Sequence, residues 1–503
     1  MEFVNGEWFC CTFEHVARHW IVHGDEYSSF LRRGFYGQSR RGAKWVEDSI
    51  ALFTESFQSC GYGALLEWGQ EACKRARTSY GSAGNECDFH SRSIREAEPG
   101  PACEPRSALS WWSIRLSVLS TGLEQPIMPP MTIDEARDHL PGLLEILRTL
   151  VEFESPTPEK LAVDRAGSFV AGQMKRLGAR VQRIEQKEVG DHWLGTWGSA
   201  PGGILIMVHI DTVHPIGTLK RLPWSEEGGK IYGPGIMDMK ASAAIALTAI
   251  EALRRGAGLP GRRISLMFNS DEETGSHTSR KLIQSLAKEH DLVLCLEPAL
   301  PDGALKTWRK GIGMFEIEVV GRMAHAGANP SGGVNAIHEM AHQIRQITEL
   351  ADDEAGTTLN VDLIEGGTRT NVIPARARAS LDIRVKTEEE RSRIASGLDN
   401  LKIQHPEAQL SLTGEWNRPP MPRTEIMMQT FERAREIGSG IGLDLSEGGT
   451  GGGSDANFVA PLGIPVLDGL GAVGAGAHTE QEHIRTESLP ERTALLAALL
   501  TEW

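Results

Sequence analysis

The 503-residue chain is short of several things, and each shortage narrows the reading. It has no run of about 18 or more apolar residues, so nothing in it reads as membrane-spanning. It has no cationic excess. A formal net charge of −15 argues against nucleic acid or an anionic membrane as the main partner. Its opening, MEFVNGEWFCCTFEHVARHW, lacks the basic n-region and the apolar h-region of a secretory signal, so cytoplasmic residence is the expectation. Cysteine is scarce: there are seven, and only Cys295 lies beyond residue 103. The others (Cys10, Cys11, Cys60, Cys73, Cys87, Cys103) keep spacings that match no zinc or redox signature. Four of the five tyrosines also lie early, and no methionine occurs between Met1 and Met128.

Composition therefore breaks near residue 125. Before it, no helical or strand period is sustained, and pieces such as FYGQSRRGAK read as loop. Residues 1–127 are expected either to be upstream sequence, with the true start at Met128 or Met131, or to be an accessory region without an assigned role. Past that point MTIDEARDHLPGLLEILRTLVEFES predicts a helix with Leu140, Leu143, Leu144, Ile146 and Leu147 on its apolar face. The short continuous runs GGILIMV, RISLMFN, DLVLCL and GIPVLDG suit strands buried on both faces. KASAAIALTAIEALRRG between the first two is an alanine-rich helix stopped by Gly256. This alternation is α/β logic. The period then changes: MFEIEVVGR and ARARASLDIRV alternate apolar and polar residues, and NAIHEMAHQIRQITEL places Ile337, Met340, Ala341, Ile344 and Ile347 on one helical face. Residues 311–420 thus read as an α+β insertion into a first domain spanning 128–310 and 421–503.

Chemistry gathers at strand ends. ILIMV runs into His209 and Asp211, ISLMFNS into Asp271, Glu272 and Glu273, and LVLCL into Glu297. Ligand sites in open α/β sheets lie beyond the carboxyl ends of the strands, so these side chains share one crevice. Asp238 in GPGIMDMK and His478 in GAGAHTEQEH complete the set. Taken singly, each has a plain structural use: a satisfied histidine, a helix cap, a solvated acidic turn. Together they describe a two-metal site, because histidine and carboxylate are ligand types that zinc accepts. Asp238, with two oxygens, is the natural bridge. Asp211 stands two residues from His209 on the same side of an extended chain, placed to accept the other ring N–H and fix the tautomer.

The motifs HIDTVHP, GPGIMDMK, DEETGS, EP, GRMAHAGANPSGGVNAI and GGGSDA resemble, in order and spacing over about residues 135–500, the M20 family of dinuclear zinc peptidases and its glutamate carboxypeptidase branch. One small departure is Ala241, where the family usually has glycine. The resemblance implies a mixed-sheet zinc-peptidase catalytic domain of α/β class with an inserted ferredoxin-like α+β lid and dimerisation domain. It implies two Zn2+ per subunit, with Co2+ or Mn2+ acceptable to the same ligands. His209, Asp238 and Glu273 would hold one ion and Asp238, Glu297 and His478 the other. Glu272 would be the general base and Asp211 the carboxylate behind His209. His325, reaching from a partner subunit of a homodimer, would polarise the scissile carbonyl, and Asn371, Arg384 and Arg418 would contact substrate. His214, His338, His342, His405 and His483 read as structural or solvated. The expected activity is hydrolysis of an amide bond that releases a C-terminal amino acid, glutamate by preference, from a peptide or N-acyl conjugate. The rival is an N-acyl amino acid deacylase acting on acetylornithine or succinyl-diaminopimelate.

Overall fold

A computed structural model describes residues 130–256 and 258–503, and the backbone of two short antiparallel strands, Glu2–Val4 and Glu7–Phe9. The chain divides into two units, Met1–Leu116 and Ser117–Trp503. The expectations for residues 1–127, an upstream or accessory stretch that reads as loop, lie outside the described residues apart from those two strands.

The second unit opens with α1 (Ile133–Asp138), held by a capping box in which Thr132 and Glu135 satisfy each other's main-chain N–H groups. The periodic stretch that predicts one helix makes two. α2 (Leu140–Glu152) starts afresh after His139, because Pro141 has no N–H to continue α1 and its ring obstructs the preceding turn. α2 buries Leu143, Ile146 and Leu147 of the expected face and extends it to Leu150 and Val151. α3 (Lys160–Arg176) follows.

The main sheet draws on β1 (Arg180–Ile184), β2 (His192–Trp197), β3 (Ile204–His209), β4 (Ile264–Asn269), β5 (Leu292–Cys295) and β6 (Leu305–Arg309). Between β3 and β4 runs α4 (Ala241–Arg255), and α5 (Arg280–Ala287) precedes β5. A second sheet is built from β7 (Gly311–Val320), β8 (Thr358–Gly366), β9 (Arg376–Val385) and β10 (Gln409–Arg418), with α6 (Ala336–Thr348) and α7 (Glu388–Asp399) between its strands. The chain then returns through α8 (Glu425–Gly440), β11 (Glu447–Thr450), α9 (Ala456–Val459), β12 (Val466–Asp468) and α10 (Ser488–Glu502).

The main sheet has eight strands in the order β11-β6-β12-β5-β3-β4-β2-β1 and is mixed. β3, β4, β5 and β12 are parallel, as buried strands with helical crossovers must be, whereas β1 and β2 are antiparallel additions at one edge. Every residue of β3 and β4 is buried. α4 is buried almost all round, which its alanines allow by letting neighbouring backbones approach, and Ala241 starts it with no exposed surface.

The second sheet, β8-β9-β7-β10, is antiparallel with βαββαβ connectivity. α6 lies against it with a face rotated from the expected one. Ala336, Met340, Gln343 and Ile347 are buried, but Ile337 and Ala341 face outward. Glu339 turns inward instead, and its carboxylate accepts the N–H groups of Gln404 and His405. The two crossings between the sheets bond each other, since Arg309 and Met421 exchange main-chain hydrogen bonds of 2.9 and 3.0 Å.

Candidate active site

Because β3, β4 and β5 are parallel neighbours, their carboxyl ends open on one side of the sheet. His209 ends β3, Glu272 and Glu273 sit in the 3₁₀ turn after β4, and Glu297 follows β5. Asp238 enters from the turn before α4. His478 enters from the loop before the short strand His483–Arg485, with a φ of 64°. That left-handed backbone costs an L-residue about 1–2 kcal/mol and is sustained only where the surroundings fix it.

The six side chains converge. His209 Nε2 lies 3.0 Å from Asp238 Oδ1, and His478 Nε2 lies 3.3 Å from Asp238 Oδ2, so the two oxygens of one carboxylate face different imidazoles. His478 Nε2 is also 3.3 Å from Glu273 Oε2, and His209 Nε2 is 3.7 Å from Glu297 Oε1. Two overlapping trios, His209–Asp238–Glu273 and His209–Glu272–Glu297, each offer donor atoms within 4.8 Å of one another.

Electrostatics mark the cluster as over-supplied with negative charge. Burial, with Arg418 opposing, holds Glu272 well above the usual carboxylate range, and burial also raises Glu273 against the pull of His478. Glu297 is pushed up to about 7 by burial and the neighbouring Asp238. Hydrogen bonds that His478 donates to the Asp238 and Glu273 carboxylates push it up to about 10. In His209, burial is outweighed by Asp211 and Asp238, and its pKa also rises. Glu273 Oε1 is buried with no hydrogen-bond partner. An orphaned buried oxygen among carboxylates forced toward protonation is what divalent cations would relieve, and imidazole nitrogen with carboxylate oxygen is a set that zinc takes.

A ring of buried charge holds these groups, and much of it escapes a reading by motif. Glu482, wholly buried, accepts the N–H groups of Gly235 (2.8 Å), Met237 (2.8 Å) and Asp238 (3.0 Å) and pairs with His214 Nε2 at 2.6 Å. It thereby fixes the turn that presents Asp238. Arg309, at the end of β6, grips Asp468 in a bidentate pair (2.6 and 2.9 Å) and reaches Glu297 Oε2 at 3.5 Å. It also donates to the carbonyls of Gly452 and Gly453. Asp455 receives Arg418 Nη1 at 2.9 Å. Asp455 and Glu482 stand inside GGGSDA and GAHTEQEH, where only the histidine invites a ligand reading; Arg309 gives no signal beyond ending a strand.

Two expected roles change. The ring N–H of His209 meets the main-chain oxygen of Asp211 (3.0 Å), with the nearer carboxylate oxygen at 3.5 Å. The Asp211 carboxylate instead accepts Thr157 Oγ1 (2.7 Å) and the N–H groups of Glu272 (3.3 Å) and Glu273 (3.2 Å), so it anchors the acidic turn. Arg418, expected to contact substrate, is turned inward. It is buried, 2.7 Å from Glu272 Oε1, packed over the Phe458 ring and committed to Asp455. Asp271 leaves the cluster altogether, its carboxylate capping the turn at Thr278 and Ser279.

The expected substrate-side residues His325, Asn371 and Arg384 stand apart. His325 lies in the exposed two-residue strand Ala324–His325, paired with Val372–Ile373, and the Asn371 carbonyl accepts the N–H of Ala326. His325 Nδ1 accepts from the N–H groups of Gly327 (3.1 Å) and Ala328 (3.0 Å), which leaves the ring proton on Nε2. Arg384 forms a bidentate pair with Asp382 (2.7 Å each) and touches the Gly451 carbonyl at 3.3 Å. Among the described contacts, none joins His325, Asn371 or Arg384 to the cluster of candidate ligands.

A model of Peptidase family M20/M25/M40 matches residues 205–502, a span that takes in every member of that cluster. The chain belongs to this family. Carboxypeptidase G2 of Pseudomonas sp. (strain RS-16) is 32% identical over 378 residues, covering 73% of this chain and 90% of the relative. A succinyl-diaminopimelate desuccinylase of Xanthomonas oryzae pv. oryzae (strain PXO99A) is 26% identical over 379 residues, covering 71% and 98%. The YXEP protein of Bacillus subtilis, described as a dinuclear metal-binding peptidase of the M20 family, aligns with a TM-score of 0.53 at 17% identity over 73% of this chain and 98% of its own. The chain is therefore an M20-family hydrolase on a mixed α/β fold. No helix among the described residues is long and apolar enough to cross a membrane.

Proposed function

We propose that this protein is a dinuclear metal-dependent amidohydrolase that releases a C-terminal amino acid, glutamate by preference, from a peptide or N-acyl conjugate in the cytoplasm. The observation that carries the reading is Asp238, whose two oxygens face His209 and His478 separately. The closest contacts favour a partition other than the one the resemblance implies: His209 with Glu297 on one side of Asp238, and His478 with Glu273 on the other. Two Zn2+ held there would acidify a shared water and polarise the scissile carbonyl; Co2+ and Mn2+ suit the same donors.

Glu272 is the group placed to take a proton from the attacking water and pass it to the leaving amine. Arg418 positions Glu272, which makes it a poor candidate for gripping a free substrate carboxylate. Arg384, partly exposed on β9, and Asn371 remain as substrate contacts, arginine being suited to bidentate carboxylate capture. His325, with its proton on Nε2, can donate to the carbonyl oxygen, reaching the site of a second copy. Homodimerisation through the lid is supported by the edge strand β8, which exposes Leu363 (67%) and Ile364 (59%).

The second reading, a deacylase of small N-acyl amino acids, is favoured by the likeness to a succinyl-diaminopimelate desuccinylase. A substrate panel separates the two after chelation and metal restoration. It would contain benzoyl- and p-aminobenzoyl-glutamate, Gly-Glu, N-acetylornithine and N-succinyl-diaminopimelate. Metal-dependent glutamate release from the aryl conjugates is the expected result, whereas turnover of only the acetyl or succinyl compounds would move the enzyme to the deacylases.

A further inference from the structure

At the opposite end of the main sheet from the acidic cluster lies a cavity of about 680 Å³ with the reverse charge. Arg180 opens β1, Arg254 lies in the last turn of α4, and Arg262 and Arg263 lead into β4; all four line it. No aspartate or glutamate is among its lining residues. β4 separates the two sites: the cavity opens beside Arg263 before its first residue, and the Glu272–Glu273 turn follows its last. Six residues of strand span roughly 20 Å.

The guanidinium groups are placed by local structure. Gly178 makes room for Arg254, whose Nη1 would stand only 2.6 Å from a side-chain carbon there. Arg263 is pinned by its Nε to the Gly202 carbonyl at 3.0 Å and by Nη2 to the Glu289 carbonyl, and Arg262 Nη2 reaches a terminal carboxylate oxygen of Trp503 at 3.2 Å. Two of the four thus have acidic neighbours: Glu289, exposed, is 3.6 Å from Arg263 Nη1, and Arg262 meets the carboxyl end of Trp503. Arg180 and Arg254 have no hydrogen-bond or ion-pair partner among the described residues. Leu259 and Pro260 supply an apolar flank. Beside Arg262 and Arg263, Arg180 and Arg254 keep their guanidinium N–H groups free for an added anion, and arginine forks match phosphate oxygens two at a time. The volume suits a metabolite-sized ligand.

We propose that this cleft binds a small phosphate-bearing anion, at a site separate from the hydrolytic centre. The test is isothermal titration of the metal-loaded full chain with inorganic phosphate, phenyl phosphate and citrate, with ionic strength balanced by sodium chloride. Wild-type protein is compared with the double variant Arg180→Gln/Arg254→Gln, whose exposed, partnerless side chains leave the fold intact. The expected result is saturable phosphate binding that weakens at least tenfold in the double variant while amide hydrolysis is unchanged. Tighter binding of phenyl phosphate would place an organic group on Leu259 and Pro260; equal binding would mean that the phosphoryl group alone is held. No saturable binding, or binding that the double variant leaves intact and so belongs to the metal centre, would overturn the proposal. Citrate binding as tightly as either phosphate would overturn the phosphate assignment.

Discussion

The two halves of the candidate site are built in opposite ways. In the main domain, His209, Asp238, Glu273 and Glu297 are set at the ends of wholly buried strands or in turns tied down by buried acids such as Asp211 and Glu482. In the segment between the two crossings, His325 and Arg384 sit on exposed or part-exposed strands and Asn371 in the turn before one, and apart from the 3.3 Å contact of Arg384 with Gly451 their hydrogen bonds stay within that segment. The difference teaches where precision is needed. Donors to a metal tolerate little displacement, and here all but the half-exposed His478 are locked by packing, whereas groups that meet a substrate must let it enter.

If that division is right, substitutions in the two halves should fail in different ways. Glu272→Gln should have the largest effect, about 10²–10⁴-fold on kcat with both metals retained, checked by metal analysis beside steady-state rates. A near-normal rate would remove Glu272 from the chemistry. His325→Ala should lower kcat by about 10²–10³-fold, as loss of a donor to a developing oxyanion does, while the melting temperature stays at the wild-type value. A lowered melting temperature with intact kcat would make that histidine structural.

A matched pair of arginines sharpens the contrast. Arg309→Leu strands the buried Asp468 carboxylate without its partner and should cost about 3–5 kcal/mol in chemical denaturation. Arg384→Ala, made on β9, should change stability by less than about 0.5 kcal/mol and show itself as a raised KM for carboxylate-bearing substrates. Equal stability losses in the two variants would erase the distinction.

The smallest effect lies outside the site. His290 is buried between the Leu286 carbonyl (2.7 Å) and Ser265 Oγ (2.9 Å), and burial lowers its pKa below 6.5. The folded state then binds fewer protons than the unfolded one. Stability from this residue is present above pH 6.5 and declines as pH falls below it. His290→Gln should flatten that acid limb in denaturation curves, and an unchanged limb would assign it to other groups.

The main-domain half was the more legible in the sequence for the same reason that it is rigid. Strands buried on both faces leave continuous apolar runs, and a histidine or acid at the end of such a run stands out, as at His209 and Glu297. What escaped depends on pairing over long sequence distances. Arg309 meets Asp468, Glu482 meets the turn at Asp238, and Arg418 meets Glu272; no local period announces any of them. The exchange of roles at Asp211 was hidden because a carboxylate and a main-chain oxygen of one residue are equally near the histidine in sequence. In the second sheet's layer, the apolar face of α6 differs from the periodic one because a satisfied buried Glu339 displaces Ile337 to the surface, which a hydrophobic period does not anticipate.

The central claim is that the main-sheet half alone holds the metal, with Asp238 shared between two ions. Metal content per chain, measured on wild type, Asp238→Ala and His325→Ala after dialysis against limiting zinc, tests it most directly. The account expects two ions in wild type and in His325→Ala, and fewer than one in Asp238→Ala. Two ions retained by Asp238→Ala, or one ion in the wild type, would contradict it.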